Sequence, residues 1–226
     1  MVTVRRRKDM KKLILAVCMG TCVMAAQAKT RPYVSVYGGG SGLQETDWKY
    51  SWTGSSTDGK FKYDVGGVYG AAIGTSIGSL PIRIEVEYSS RKNDINDSSN
   101  VYNGNIKSTA LMVNLYYDFK NVDGLYDYLS GPVYPYVFIG AGSVDAEMTE
   151  RTPWWSGTAS ETVFAGQVGI GFGWEITDHI IFDLKGRIIM TEDIEFADIA
   201  GSGSNTSLDL DKPLYAEVLA GLRFQF

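Results

Sequence analysis

Charged side chains of both signs recur at every second position in several stretches of this sequence, and that spacing is where chemistry could lie. Arg83, Glu85 and Glu87 alternate without error with Ile82, Ile84, Val86 and Tyr88. Asp183, Lys185 and Arg187 oppose Ile180, Phe182, Leu184, Ile188 and Met190. Glu217, Arg223 and Gln225 oppose Leu214, Ala216, Val218, Ala220, Leu222, Phe224 and Phe226, and Glu175 ends a run in which Phe164, Val168, Ile170, Phe172 and Trp174 fill the other phase. A period of two puts each set on one face of a β-strand. Opposite charges projected from several strands into one narrow interior can neutralise each other there, or line a path for ions.

Other chemistry is sparse. His179 is the one histidine, set between Asp178 and Ile180 in a tight turn with no serine beside it. A hydrolytic site would need serine and carboxylate partners for it, so no catalytic residue is expected and the chain is read as a non-enzyme. One histidine makes a poor metal centre; Asp94, Asp97, Glu192, Asp193, Asp209 and Asp211 could bind a divalent cation, but such carboxylates are more often solvated or near divalent ions bridging lipopolysaccharide, and no resident metal or cofactor is expected. Residues 166–173 (GQVGIGFG) hold glycines at alternating strand positions, with neither a following helix nor a Lys-Ser/Thr pair, which rejects a phosphate loop. Their expected role is to leave room for the arginine and glutamate side chains. Trp48, Tyr50 and Trp52 stud one connection and Trp154 and Trp155 another. These rings suit either rest at a membrane interface or a binding surface for a partner.

The elements that would carry these residues follow from the same period. Eight strands are expected, roughly at 32–40, 63–77, 82–91, 105–119, 135–148, 162–176, 180–191 and 213–226. Connections near 41–62, 92–104, 149–161 and 192–212 are long and rich in Gly, Ser, Asn and Asp, whereas 78–81 and 177–179 are tight turns. The connection 120–134 is long for a turn on that second side. Each strand is long enough to cross a bilayer at a tilt, which takes about 9–11 residues.

The first 28 residues stand apart. Arg5, Arg6, Arg7, Lys8, Lys11 and Lys12 precede 14 apolar or small residues from Leu13 to Ala26, and Ala26-Gln27-Ala28 supplies a cleavage site. That order predicts a secretory signal peptide over 1–28 and one β-barrel domain over 29–226, with Met1 or Met10 as the start. The apolar run is too short for a membrane anchor. Both cysteines, Cys18 and Cys22, leave with the leader, so the mature chain has neither disulfides nor thiolate ligands. Losing six basic residues and one acidic one takes the formal charge from −5 to −10, which weighs against nucleic-acid binding. Without a spanning helix, the mature chain can enter a membrane only as a closed barrel.

Two barrels are compatible with strict alternation: a soluble one with apolar residues inside, and a transmembrane one with charges inside. The charged face mixes signs and is interleaved with glycine, while the other face is large and apolar, which favours the transmembrane form. Tyr88, Tyr116, Tyr117, Tyr136 and Trp174 are expected in aromatic girdles. The fold class is therefore an all-β, eight-stranded, antiparallel up-and-down transmembrane barrel. Its expected lumen charge network is Arg83, Glu85, Glu87, Glu175, Asp183, Lys185, Arg187, Glu217 and Arg223. Such a narrow interior is roughly filled by its side chains.

The stretches Ala110–Gly142 (with NLYYDF and PYVFIGAG), Phe164–Trp174 (FAGQVGIGFGW) and the Ile180–Arg187 strand resemble the opacity-type and OmpA-like outer-membrane barrel domains. The resemblance covers essentially the whole mature chain. It implies a Gram-negative outer-membrane protein serving envelope integrity, adhesion or surface interaction through long outer loops; a narrow porin passing ions or small solutes is the alternative. It also softens the oddity of residues 120–134, since a long connection there is common in the family. The peptidoglycan-binding domain of full-length OmpA-like proteins is not expected. The final strand, ending in Phe226, resembles the signature that outer-membrane assembly machinery reads. The implied partners are outer-membrane lipid and lipopolysaccharide, that machinery, and a host or envelope partner at the outer loops; nucleic acid is not among them.

Overall fold

Alternation in the sequence becomes antiparallel ladder in the structure. The computed structural model describes residues 30–44, 46–52, 55–77, 80–96, 103–120, 132–152, 155–197 and 207–226. The expected signal peptide, Asp97 and Trp154 lie outside the described residues. In chain order the strands are β1 (Arg31–Leu43), β2 (Thr46–Trp52), β3 (Ser55–Tyr63), β4 (Gly66–Ser76), β5 (Ile82–Asn96), β6 (Asn103–Asp118), β7 (Val133–Thr152), β8 (Trp155–Glu175), β9 (Ile180–Thr191), β10 (Ile194–Ala197), β11 (Ser207–Leu210) and β12 (Leu214–Gln225).

Eight of these close a barrel in the order β1-β4-β5-β6-β7-β8-β9-β12, with every neighbour antiparallel. The seam is β1 against β12, in register from Tyr33↔Gln225 to Leu43↔Tyr215. Closure removes both sheet edges, the one arrangement by which strands satisfy their backbone groups in lipid.

The far end departs from the expected loops. Among their described residues, the segments 41–62, 92–104, 149–161 and 192–212 are largely strand. β5 to β8 run past the point where their neighbours stop, and β8 at 21 residues is about twice the length a crossing needs. The hairpin β2–β3 continues the wall from β1 and β4, and β3 joins β5 through Lys62↔Asn96 and Tyr63↔Ile95. β10 and β11 continue from β9 and β12, and β11 pairs with β2 from Ser207↔Ser51 to Leu210↔Trp48. Composition misleads here because Gly, Ser, Asn and Asp are turn formers by propensity. Pairing along a rigid template overrides that preference.

Sidedness reverses between the two tiers. Around the barrel proper the outer face is Val34, Val36, Ile73, Val137, Ile139, Ile170, Phe172, Leu184 and Val218, all exposed, while the charges point inward. Toward the far end Leu43, Ile106, Val144, Ala146, Val163 and Ile194 are buried, and Asp47, Lys49, Asp58, Lys92, Lys107 and Glu147 are exposed. The first pattern suits lipid outside, and the second suits water outside.

Glycines in the wall fit aromatic rings directly across from them. Tyr33 pairs with Gly74, Tyr37 with Gly70, Tyr134 with Gly173, Tyr136 with Gly171 and Phe138 with Gly169. A Cβ at Gly171 would stand 2.5 Å from Cζ of Tyr136, and one at Gly169 2.4 Å from the Phe138 ring. The room the sequence assigns to arginine and glutamate is taken by tyrosine and phenylalanine. Tyr116 and Tyr136 correspondingly point inward and are buried, which removes them from the expected girdle; Tyr88, Tyr117 and Trp174 do face outward.

Candidate functional site in the barrel lumen

β5 dominates the interior because its inward phase is polar along most of its length: Arg83, Glu85, Glu87, Ser89, Arg91 and Asn93, all buried. Near the end where β1 begins and β12 finishes, Arg83 donates from Nε to both Asp118 oxygens at 3.0 and 2.9 Å. Its guanidinium carbon lies 4.2 Å from the Tyr116 ring centre, 5.1 Å from that of Tyr136 and 5.7 Å from that of Tyr33, a cage that holds a cation by its ring faces. Beside it Arg223 forks onto Asp183 at 3.0 and 2.9 Å and donates to the Tyr134 hydroxyl at 2.8 Å.

Mid-lumen, Glu85 accepts from the Tyr33 hydroxyl at 3.0 Å, the Tyr116 hydroxyl at 2.8 Å and Asn114 Nδ2 at 3.5 Å. Asn114 also donates to Glu87 at 3.2 Å and accepts from Gln167 at 2.5 Å. Lys185 Nζ reaches Glu87 at 3.2 Å while resting 4.2 Å over the Tyr37 ring. Arg187 donates to Glu87 through Nη1, to Gln167 at 3.2 Å, and through Nε to Glu217 at 2.6 Å. Toward the far end Glu217 forms an ion pair with Arg91, Nε 2.8 Å from Oε1, and accepts from Ser41 Oγ at 3.1 Å. Arg91 donates to Ser89 at 2.9 Å, and Ser108 and Tyr215 share a hydrogen bond at 3.0 Å.

Five cations (Arg83, Arg91, Lys185, Arg187, Arg223) thus face five carboxylates (Glu85, Glu87, Asp118, Asp183, Glu217) along the lumen. Charges taken out of water survive only when paired and hydrogen-bonded. A cavity of about 20 Å³ remains between Tyr37, Arg83, Glu85, Tyr116, Tyr136 and Lys185. That space suits about one water molecule, far less than a hydrated ion requires.

The structure brings Arg83, Glu85, Glu87, Asp183, Lys185, Arg187, Glu217 and Arg223 into one connected set. Glu175 is not in it. It keeps the inward phase but sits at the mouth, its side chain 43 % exposed and held by Lys120 Nζ at 2.6 Å. Sequence reasoning missed Arg91, although it shares the phase of Arg83, and missed Tyr33, Tyr37, Tyr134 and Tyr215 as lumen hydrogen-bonding and packing groups. His179 lies in the 176–179 turn, where its carbonyl accepts from the Gln225 amide at 2.8 Å. Phe226 is exposed at the wall's near edge, its amide donating to the Pro32 carbonyl at 2.9 Å. Among the loop aromatics, Trp48 pairs with Leu210, which pairs with Ile194, and Tyr50 pairs with Leu208, which pairs with Phe196. Trp52 pairs with Ser55 and Trp155 with Thr152.

The family profile described as "Outer membrane protein beta-barrel domain" matches residues 13–210. No curated protein matches the sequence. Among solved structures, a major outer membrane protein from Thermus thermophilus is similar at 11% identity, with 86% of this chain and 99% of that chain covered and a TM-score of 0.56. The outer membrane protein OprG from Pseudomonas aeruginosa is similar at 13% identity over 90% and 98%, TM-score 0.51. The outer membrane protein AlkL, solved in DMPC lipid bilayers, is similar at 14% identity over 89% and 93%, TM-score 0.53. At such identities the likeness concerns the fold.

Proposed function

We propose, from the premise that the chain belongs to the outer membrane protein beta-barrel domain family, that this outer-membrane protein is a closed barrel whose business is done by its folded outer tier, in envelope integrity or surface adhesion. The observation that carries this reading is the lumen: five inward cations and four inward carboxylates cross-pair along it, Glu85 is held by neutral donors, and the cavity among them has room for about one water. A path for solutes would require those pairs to part, each at the cost of a buried unpaired charge. The outer tier, by contrast, is paired β-structure with charged residues facing out, a shape that can meet a partner without first ordering a loop. Lipopolysaccharide would lie against the apolar wall. The last strand, ending in Phe226, would be the piece that assembly machinery reads, and residues 1–28 the cleaved export signal.

No catalytic role is proposed. His179 is exposed in a turn at the end where β1 begins and β12 finishes, and Thr177 Oγ1 accepts from its amide at 3.3 Å. The test is conductance of the refolded mature barrel in a planar bilayer. Silence from a barrel that shows the heat-dependent gel shift supports the closed reading. Discrete, reproducible openings would replace it with the narrow porin.

A further inference from the structure

Four of the five lumen carboxylates are ion-paired: Asp118 by Arg83, Asp183 by Arg223, Glu217 by Arg91 and Arg187, and Glu87 by Lys185 and Arg187. Glu85 is the exception among the described residues, because its partners are the neutral hydroxyls of Tyr33 and Tyr116 and the Asn114 amide. Glu87, two residues along the same strand face, has two cations. Glu85 and Lys185 also border the same cavity of about 20 Å³.

We propose that Glu85 is a second seat for the Lys185 ammonium, reached through that cavity. Adjacent inward residues on one strand lie about 6.6 Å apart, within the swing of a four-carbon stem with three rotatable donors. If Lys185 moves, Glu87 keeps Arg187 and Glu85 gains a cation, so no carboxylate is left unpaired. The observed seat is held by the Tyr37 ring 4.2 Å from Nζ and the Phe138 ring at 5.7 Å. The cavity's volume supplies the space for the other. The device keeps the middle of the lumen bridged from β9 to β5 when either carboxylate is neutralised. It rests on the closed-lumen reading, and its test is chosen so that the two can fail separately.

The experiment compares open probability in planar bilayers for the full mature barrel and for E85Q, E87Q and E85Q/E87Q, each checked for folding by the heat-dependent gel shift. With two seats, either single variant stays nearly silent, and the double variant opens about tenfold or more beyond the product of the single effects. Single effects that simply multiply, or a silent double variant, overturn the second seat. A conducting wild type overturns the closed lumen, while the coupling between positions 85 and 87 still decides the seat. Where the double variant does not refold, E87Q alone suffices. A solid-state NMR distance between 15N-lysine Nζ and 13C-glutamate carboxyl must then place Lys185 in contact with Glu85, and a lysine that has not moved overturns the proposal.

Discussion

Arg91 and Glu217 meet inside the barrel with Nε 2.8 Å from Oε1, and neither side chain reaches solvent. Around the wall their strands, β5 and β12, are separated by β4 and β1, so the contact is a strut across the lumen rather than a rung between neighbours. Glu217 also holds Arg187 at 2.6 Å. Neutralising this one carboxylate leaves Arg91 without an ionic partner and Arg187 with Glu87 alone, whereas removing Arg91 leaves Glu217 still paired. E217Q should therefore lose about 3–5 kcal/mol, and R91M clearly less. The double variant should fall short of the sum, because both changes remove one contact. Urea titration of the gel-shifted folded band measures all three, and an E217Q midpoint equal to wild type would refute the strut.

The ring of Tyr136 fills the space over Gly171 so closely that a Cβ there would also stand 2.7 Å from the Leu184 carbonyl oxygen. A backbone atom cannot step aside as a flexible side chain could. G171V should cost about 1–3 kcal/mol by overpacking, and Y136A in the same chain should recover part of it. Gly67 is the control: a Cβ there meets nothing within 4 Å, so G67A should refold as wild type. Equal effects at both glycines would remove the packing argument.

Reversed sidedness can be tested on β7 and β8. Ile139 and Ile170 face outward at 60 % and 65 % exposure within the apolar band, while Ser160 is exposed in the outer tier of β8. I170R should destabilise the barrel in lipid vesicles by about 2–4 kcal/mol, with I139R similar near mid-wall. S160R should stay within about 0.5 kcal/mol, as a surface change in water does. A penalty at Ser160 matching that at Ile170 would move the membrane boundary outward.

Phase was legible in the sequence and partnership was not. The two-residue period is local, so Arg83, Glu85, Glu87, Lys185 and Arg187 could be placed indoors from their neighbours alone. Which cation meets which carboxylate depends on the stagger of strands distant in sequence, and Arg91–Glu217 joins two such strands. Arg91 also follows Ser89 and Ser90, where the alternation blurs. Tyr116 and Tyr136 show type and phase in conflict: tyrosine suits a membrane girdle, yet both occupy the inward phase, and phase decides. Glu175 shows the converse, since the right phase at a strand's last residue still leaves it in water. The outer tier was hidden because its serines, threonines and aspartates are also what loops are made of.

The outer tier is itself open to test, and its weakest joint is short. β11 contributes four residues and is the strand that ties β10 to β2. Leu208 lies between Tyr50 on one side and Phe196 on the other. Proline at this position cannot donate to a ladder, and within a central strand its ring also disturbs the pairing. L208P should therefore release the outer tier locally and leave the barrel below intact, because the β1–β12 seam forms its own register from Tyr33 to Leu43. In practice the variant keeps its heat-dependent gel shift and gains trypsin cleavage at exposed Lys49, a site that the paired β2 of the wild type protects. If wild-type Lys49 is cut as fast as in L208P, the outer segments behave as loops in solution. If L208P fails to refold at all, the two tiers form one cooperative unit and the outer strands help hold the barrel itself.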